Sequence, residues 1–496
     1  MSDTHAESRR HHAVLDFAHA LVSASLNRLL HARDSQFVAD AMVGVVHALQ
    51  RAAAAGVELP LRLQVDDTHI SYDGRPLDGP SLQARSLLDH CARRELCVLS
   101  FGPHVTATEV NSLFDLLLLP QNVEAFRRDH RDAAFTAYGI RNIKVSLRNP
   151  AAPDDRGADI DAHGRAVRRY QSLTAALHDN HRRAHGDHEL DTALVATAVE
   201  GTLAAAEDPT EPEEAPSMLL SLSMQDDVDA FTVGHSVRVA LLALEVARHS
   251  GASRDQLVRV GAAALMHDIG KSKVPHEILF KQGHLTEEEW HWMAQHPRLG
   301  AQILIEQHEH VDPGTIGAAF CHHMREHGGG YPESVLPFRP SATSRLIRVC
   351  DVFEALTAVR PYKRALTPVE AFAVMFANEH EFDGEWLRRF VHTLGLFPTG
   401  TRVQLVGGGE AIVSGQTDDV ARPRLRLLSG PDGAELPADH PEAVRTGDAI
   451  AGVPVQIHAV VTHDRHVEVP EFERDPDATC PGVHAACLGS HHRTGP

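Results

Sequence analysis

The chain has 496 residues, more than one ordinary core accommodates, and at about 150 residues per domain it divides into roughly three. Hydrophobic residues make up 43% and charged residues 23%, which excludes a wholly disordered or collagen-like chain. With 47 Lys+Arg against 67 Asp+Glu, the formal charge of -20 argues against a general nucleic-acid binder, so any anionic substrate needs a local positive site.

Residues 12–55 place apolar side chains at helical spacing, as in Val14, Phe17, Ala18, Leu21 and Val22. Residues 61–77 read as a strand pair turning at Asp73-Gly74, and helical signals return over 81–97. Thr106 and Glu109 form a capping-box pattern ahead of VNSLFDLLLL. This predicts an α+β domain over 1–148 with a regulatory role; its residues show no chemical constellation. Residues 149–217 read as linker and helices: a Pro/Asp/Gly/Ala stretch at 150–164, helices near 165–184 and 189–206, and an acidic, proline-interrupted loop. From 218 to 395 the pattern is almost continuously helical. Residues 400–461 are strand-like between Gly-rich turns, and 462–496 read as a polar, disordered tail. The fold class expected is multidomain and mainly α, with an α+β domain before the helical region and a small β-rich segment after it. Six cysteines are too sparse for a disulfide scaffold. No secretory signal or apolar run of about 18 residues is visible, which predicts a cytoplasmic protein with no membrane partner.

Histidine is the unusual residue, with 36 in the chain. His-Asp and His-His dipeptides each occur three times, so neither means much alone; most are expected to be solvated surface. The ordered set inside the helical region is different: His235, His267-Asp268, His296, His322-His323 and Asp351. Successive intervals are 32, 28, 26 and 28 residues, each about one helix-turn-helix, so each ligand can come from a separate helix of one bundle. Five imidazoles and two carboxylates suit first-row ions such as iron, manganese, nickel or zinc. Seven ligands exceed the need of one ion.

The local sequences carry a resemblance. HSVRVALLAL from 235, ALMHDIGKSKVPHEILFKQGHLTEEEW at 264–290, QHPRLGAQIL at 295–304, HHMREHGGGYP at 322–332 and RVCDVFEALTAVRPYKRAL at 348–366 closely resemble an HD-GYP domain, a subgroup of the HD phosphohydrolases that degrades cyclic di-GMP. The resemblance covers roughly 218–395 and implies an all-α HD-type bundle at the centre of the chain. It implies that His235, His267, Asp268 and Asp351 hold one divalent ion, and that His296, His322 and His323 hold the other, with Asp268 bridging. Iron or manganese are the ions expected, nickel or zinc the alternatives. The implied activity is metal-dependent hydrolysis of cyclic di-GMP to pGpG by a metal-bridging hydroxide. Asp268 and Lys271 are the catalytic candidates, Lys271 lying four residues after His267 and so one turn on along a helix. Lys271, Arg360 and Lys363 are implied phosphate contacts, and Gly330, Tyr331 and Pro332 form a loop bordering the site. Implied partners are cyclic di-GMP and GGDEF-type cyclases or other signalling proteins; a homodimer is compatible with the pattern.

Several positions depart from the family. Phe231 stands where some members carry a glutamate for a third metal, which predicts a binuclear site. Glu354 replaces the usual aspartate after the last ligand, and His276 and His327 replace acids, putting substrate affinity in doubt more than metal binding. Cys321 and Cys350, each beside a ligand, are expected to be core residues facing away. Three readings stay open: onward cleavage to GMP, another cyclic dinucleotide such as cyclic GMP-AMP as substrate, and a scaffold that binds cyclic di-GMP without turnover.

Overall fold

The computed structural model describes residues 2–30, 32–118, 122, 126, 130–148, 162–207, 219–221, 233–279, 281, 283–307, 310–333, 339–358, 365–430, 436, 443–445, 449–450, 453–461 and 466–468. The chain separates into two compact units, one spanning Met1–His178 and the other most of Asp179–Pro496.

The first unit is α+β. Helices α1 (Ser2–Leu30), α2 (Gln36–Ala54), α3 (Asp78–Gln83), α4 (Arg85–Ala92), α5 (Ala107–Leu118) and α6 (Arg131–Ala137) accompany a five-stranded sheet. Its strands are β1 (Leu61–Val65), β2 (Ile70–Tyr72), β3 (Arg75–Pro76), β4 (Leu96–Phe101) and β5 (Ile143–Leu147), antiparallel in the order β3-β2-β1-β4-β5. Alternation along β1 buries Leu61, Leu63 and Val65 on one face, and Phe17 of α1 meets Phe101 of β4 edge to face at 5.0 Å. The capping box forms as the sequence suggests: Thr106 N–H donates to Glu109, and Glu109 N–H donates to Thr106 Oγ1. Glu109 also accepts from the backbone N–H groups of Arg141 and Asn142 at 2.7 and 2.8 Å, tying α5 to the approach to β5. Burial opposes its charge, but these donors hold its carboxyl below the usual range. Helix α7 (Ala162–His185) follows, its fully buried Gln171 reaching back to Thr68 and Ser81.

The second unit is mainly helical. It contains α8 (Thr192–Glu207), α9 (Val233–His249), α10 (Arg254–Met266), a 3-10 turn (Ile269–Lys273), α11 (His276–Leu279), α12 (Glu287–Met293), α13 (His296–Ile305), α14 (Pro313–Cys321), α15 (Ala342–Thr357), α16 (Pro368–Ala377) and α17 (Gly384–Leu394). Helix starts are marked in the sequence: Ser253, Thr286 and Thr367 close capping boxes, and Asp312 precedes Pro313 at N1. Helix α15 lies centrally, against α9, α14, α16 and α17. Behind it Phe353, Phe372 and Phe390 pack with ring centroids 5.0–6.1 Å apart. Asp351, two residues before Phe353, and Glu354, the residue after it, lie on the polar face, so this aromatic cluster fixes the rotation of α15 toward the site.

After Gly400 the chain turns to β structure. Strands β6 (Arg402–Leu405), β7 (Glu410–Gly415), β8 (Arg424–Leu427), β9 (Ala443–Arg445), β12 (Ile457–Val461) and β13 (His466–Glu468) form one sheet in the order β13-β12-β6-β7-β8-β9, while β10 (Ala449–Ile450) pairs with β11 (Val453–Pro454). The expected disordered tail lies outside the described residues, apart from the short strand β13. Among the described residues no helix is long and apolar enough to cross a membrane.

Candidate metal centre

Five elements deliver the seven expected residues to one place. His235 is the third residue of α9; His267 caps the C-terminus of α10 and Asp268 follows; His296 opens α13; His322 caps α14 with His323 next; Asp351 sits in α15. Asp268 is at the centre. Its Oδ1 lies 3.2 Å from His296 Nε2 and 3.6 Å from His322 Nε2, and its Oδ2 lies 3.4 Å from His267 Nε2 and 3.6 Å from His235 Nε2. Asp351 reaches His235 Nε2 with Oδ1 at 3.1 Å, and His323 Nδ1 with Oδ2 at 3.7 Å. The ligand atoms fall into two groups, His235–His267–Asp268 and His296–His322–His323, each compact enough to hold an ion.

Two glycines permit this closeness. A Cβ on Gly270 would meet the His296 carbonyl oxygen at 2.0 Å and Gly300 N at 2.4 Å, so the 3-10 turn after Asp268 presses backbone to backbone against α13. Gly330 has a φ of 77°, and a Cβ there would meet the His323 carbonyl oxygen at 2.2 Å. The glycine loop therefore folds onto the His-His pair itself. Its Tyr331 ring lies 4.5 Å from His323 and 5.6 Å from Trp290 of α12, which is half exposed.

The hydrogen bonds outside the cluster set the tautomers. His267 Nδ1 donates to Ala264 O at 2.6 Å, His296 Nδ1 to Met293 O at 2.7 Å, and His322 Nδ1 to Ala319 O at 3.0 Å. Each ring thereby spends its proton on a carbonyl and turns a bare Nε2 inward. His296 Nε2 and His322 Nε2 face one another at 3.2 Å, lone pair to lone pair. His267 Nε2 and Asp268 Oδ1 are buried with no hydrogen-bond partner. Buried acceptors facing one another are costly in a protein interior unless a cation lies among them, so this donor set fits divalent ions.

The protonation pattern agrees. Burial holds His267 down at about 4 and lowers His296 and His323, keeping these imidazoles neutral. Burial disfavours the charge of Asp268, but the Lys271 ammonium against it holds the carboxyl well below its usual range. Asp351 is likewise held low against burial, chiefly by its hydrogen bond to His235. His235 differs: burial opposes its charge, yet the Glu354 and Asp351 carboxylates lift it to about 9. Its Nδ1 pairs with Glu354, which also takes Arg238 Nε at 2.8 Å. Without an ion, His235 carries a proton between two carboxylates; ion binding there must displace it.

Lys271 corrects the helical expectation. The chain tightens into the 3-10 turn after Asp268, so Lys271 sits over Asp268, its Nζ 2.5 Å from Oδ2, rather than over His267. Cys321 and Cys350 are buried, and burial raises both thiols, Cys321 to about 11, as inert core residues should be. His327 is exposed at the loop tip and His276 opens α11. Arg360, Lys363 and Phe231 lie outside the described residues. Sequence reasoning missed Arg238 and Trp290; the first lies one turn after His235, the second in a capped helix whose only signal is the pair of tryptophans.

The HD domain family matches residues 221–386. Residues 221–386 are an HD domain. Its HDIGK, GGGYP and RPYK segments make it one of the HD-GYP type. The chain is similar to the cyclic di-GMP phosphodiesterase PA4108 of Pseudomonas aeruginosa, 36% identical over 215 residues, which cover 43% of this chain and 51% of that protein. It is 36% identical over 151 residues to the cyclic di-GMP phosphodiesterase response regulator RpfG of Xanthomonas campestris, covering 30% and 40%. It is 36% identical over 174 residues to the 3'3'-cGAMP-specific phosphodiesterase 3 of Vibrio cholerae, covering 35% and 37%. The chain thus spans about half or less of the length of these curated relatives.

Proposed function

We propose that this HD domain hydrolyses cyclic di-GMP to pGpG at a binuclear metal centre. The observation that carries the reading is the convergence on Asp268 of bare Nε2 atoms from His267, His296 and His322, with His235 and Asp351 beside them, built by five elements from residues scattered over 117 positions. His235, His267, Asp268 and Asp351 would hold one divalent ion and His296, His322 and His323 the other, with Asp268 shared. When bound, such a pair supplies activated water at neutral pH and clamps phosphate oxygens for in-line displacement. The protein's own groups do the rest. Glu354 and the three backbone carbonyls hold the imidazoles in register. Lys271, partly exposed beside Asp268, is placed to neutralise charge that develops on the phosphoryl oxygens. Tyr331 and Trp290 offer aromatic edges to a purine at the mouth. Arg360 and Lys363 are assigned to the second phosphate on the resemblance alone.

A second reading, hydrolysis of a mixed cyclic GMP-AMP dinucleotide, is favoured by the relatives of that specificity in Vibrio cholerae. The remainder of the chain, the α+β unit and the β strands after Gly400, is assigned to regulation or contacts with signalling proteins such as cyclases, or with a second copy. The described cysteines are all free thiols, which supports a reducing, cytoplasmic setting. The test is to incubate anaerobically prepared, Mn- or Fe(II)-loaded protein with each cyclic dinucleotide and resolve products by chromatography. Appearance of pGpG supports the proposal, a linear product from cyclic GMP-AMP alone favours the second reading, and intact dinucleotide throughout refutes both.

A further inference from the structure

The first unit contains a second convergence of metal-ligating side chains. His69 lies in the turn between β1 and β2, Asp78 opens α3, and His163 is the second residue of α7. Ligand atoms of the three lie within 4.8 Å of one another. His163 Nε2 is 3.0 Å from Asp78 Oδ1, and the two imidazoles stack at 5.7 Å with their planes 9° apart. The 93 residues between the histidines hide the arrangement from any local reading of the sequence.

The arrangement is built rather than a chance surface encounter. Gln171, fully buried two turns after His163, donates to Thr68 O at 2.9 Å and Ser81 O at 2.7 Å, so one side chain bolts α7 to the two segments that carry the other ligands. Ser81 Oγ accepts from Ile70 N–H at 2.9 Å, fastening α3 to β2. The tautomer of His69 follows from its neighbours. Asp66 Oδ1, an acceptor, takes the N–H groups of Thr68 and His69, both at 2.7 Å, and the Thr68 hydroxyl at 3.0 Å. With its single proton given to Asp66, Thr68 Oγ1 accepts from His69 Nδ1–H at 2.7 Å, which leaves the lone pair on Nε2. A carboxylate–hydroxyl–imidazole relay of this kind orients ligating histidines from behind.

We propose that His69, Asp78 and His163 form a site for a first-row divalent transition-metal ion, separate from the HD centre and independent of the activity assigned there. Two imidazoles and one carboxylate form the three-ligand set that leaves a coordination position open to water or another small ligand. The side chains are 13%, 25% and 35% exposed, so an ion can enter and leave. Ligands held at about 2.1 Å from one ion stand roughly 3–4 Å apart, so closure needs only small side-chain movements. This suits an exchangeable ion in a regulatory domain.

The test uses zinc as the probe. Full-length protein stripped with chelator, then equilibrated with buffered Zn2+, is compared with the H69A/H163A double variant and with Asp78→Asn, metal per chain being counted by plasma mass spectrometry and folding by circular dichroism. The expected result is one fewer ion per chain in the double variant and at least tenfold weaker binding of that ion in Asp78→Asn, which keeps the side-chain volume and so the fold. H267A/D268A/H296A/H322A protein, disabled at both halves of the HD centre, should still bind one zinc that H69A/H163A then removes. Equal zinc content in the parent and a folded double variant would overturn the proposal. Failure of the HD reading instead shows as a parent binding a single ion, still lost on H69A/H163A.

Discussion

Replacing Gly270 by alanine tests the geometry of the HD centre through a single methyl group. The added Cβ would stand 2.0 Å from the His296 carbonyl oxygen, where ordinary contact begins at 3.4 Å, and its other close neighbours are backbone atoms of Gly300. Neither can swing away, so the 3-10 turn and α13 must part by roughly 1.4 Å, at an overpacking cost of about 1–3 kcal/mol. Asp268 lies two residues before the inserted methyl and His296 supplies the obstructing carbonyl. Their 3.2 Å approach, which joins the two halves of the centre, therefore opens by a comparable amount. A displacement near 1 Å at a reacting site costs on the order of 100-fold in rate. Turnover of cyclic di-GMP by metal-loaded Gly270→Ala should fall at least that far while circular dichroism still reports a folded chain, and metal content should drop below the parent's. A folded variant with turnover within threefold of the parent and full metal content would refute the backbone-contact argument.

Three further outcomes are expected. His267→Ala and Asp268→Ala should each lose hydrolysis and metal together, measured by chromatography and metal analysis on the same preparation; retained turnover in either removes that residue from the centre. Glu354→Gln keeps every ligand but weakens the grip on His235 and leaves Arg238 without its carboxylate, so metal affinity should fall about 10–100-fold in a competition titration; unchanged affinity would show that Glu354 does not orient His235. In the first unit, Glu109→Gln removes a carboxylate whose folded pKa is depressed, so its stabilisation is complete above the unfolded value near about 4.3 and is lost as pH falls through the folded one. Denaturant unfolding should show a deficit of about 1–3 kcal/mol at pH 7 that closes in acid; a pH-independent gap would contradict the linkage.

How much was legible in the sequence depended on whether the signal was local. The capping box at Thr106 and the strand at β1 are decided within a few residues, and the structure follows them; the boxes at Ser253, Thr286 and Thr367 are equally local. The seven-residue convergence was readable because helix-sized intervals and distinctive motifs reinforced each other. The placement of Lys271 was not, since the change from α to 3-10 geometry after Asp268 answers to the Gly270–Gly300 backbone contact, a tertiary fact. The His69–Asp78–His163 cluster was invisible for the same reason: only the folded sheet and Gln171 bring those residues together.

Anomalous X-ray diffraction at the edge of the bound metal is the most direct measurement of the central claim. Two peaks are predicted about 3.5–4 Å apart, one beside His235, His267 and Asp351, the other beside His296, His322 and His323, with Asp268 between them. Fully loaded crystals with one peak, or with none within coordination distance of Asp268, would contradict it.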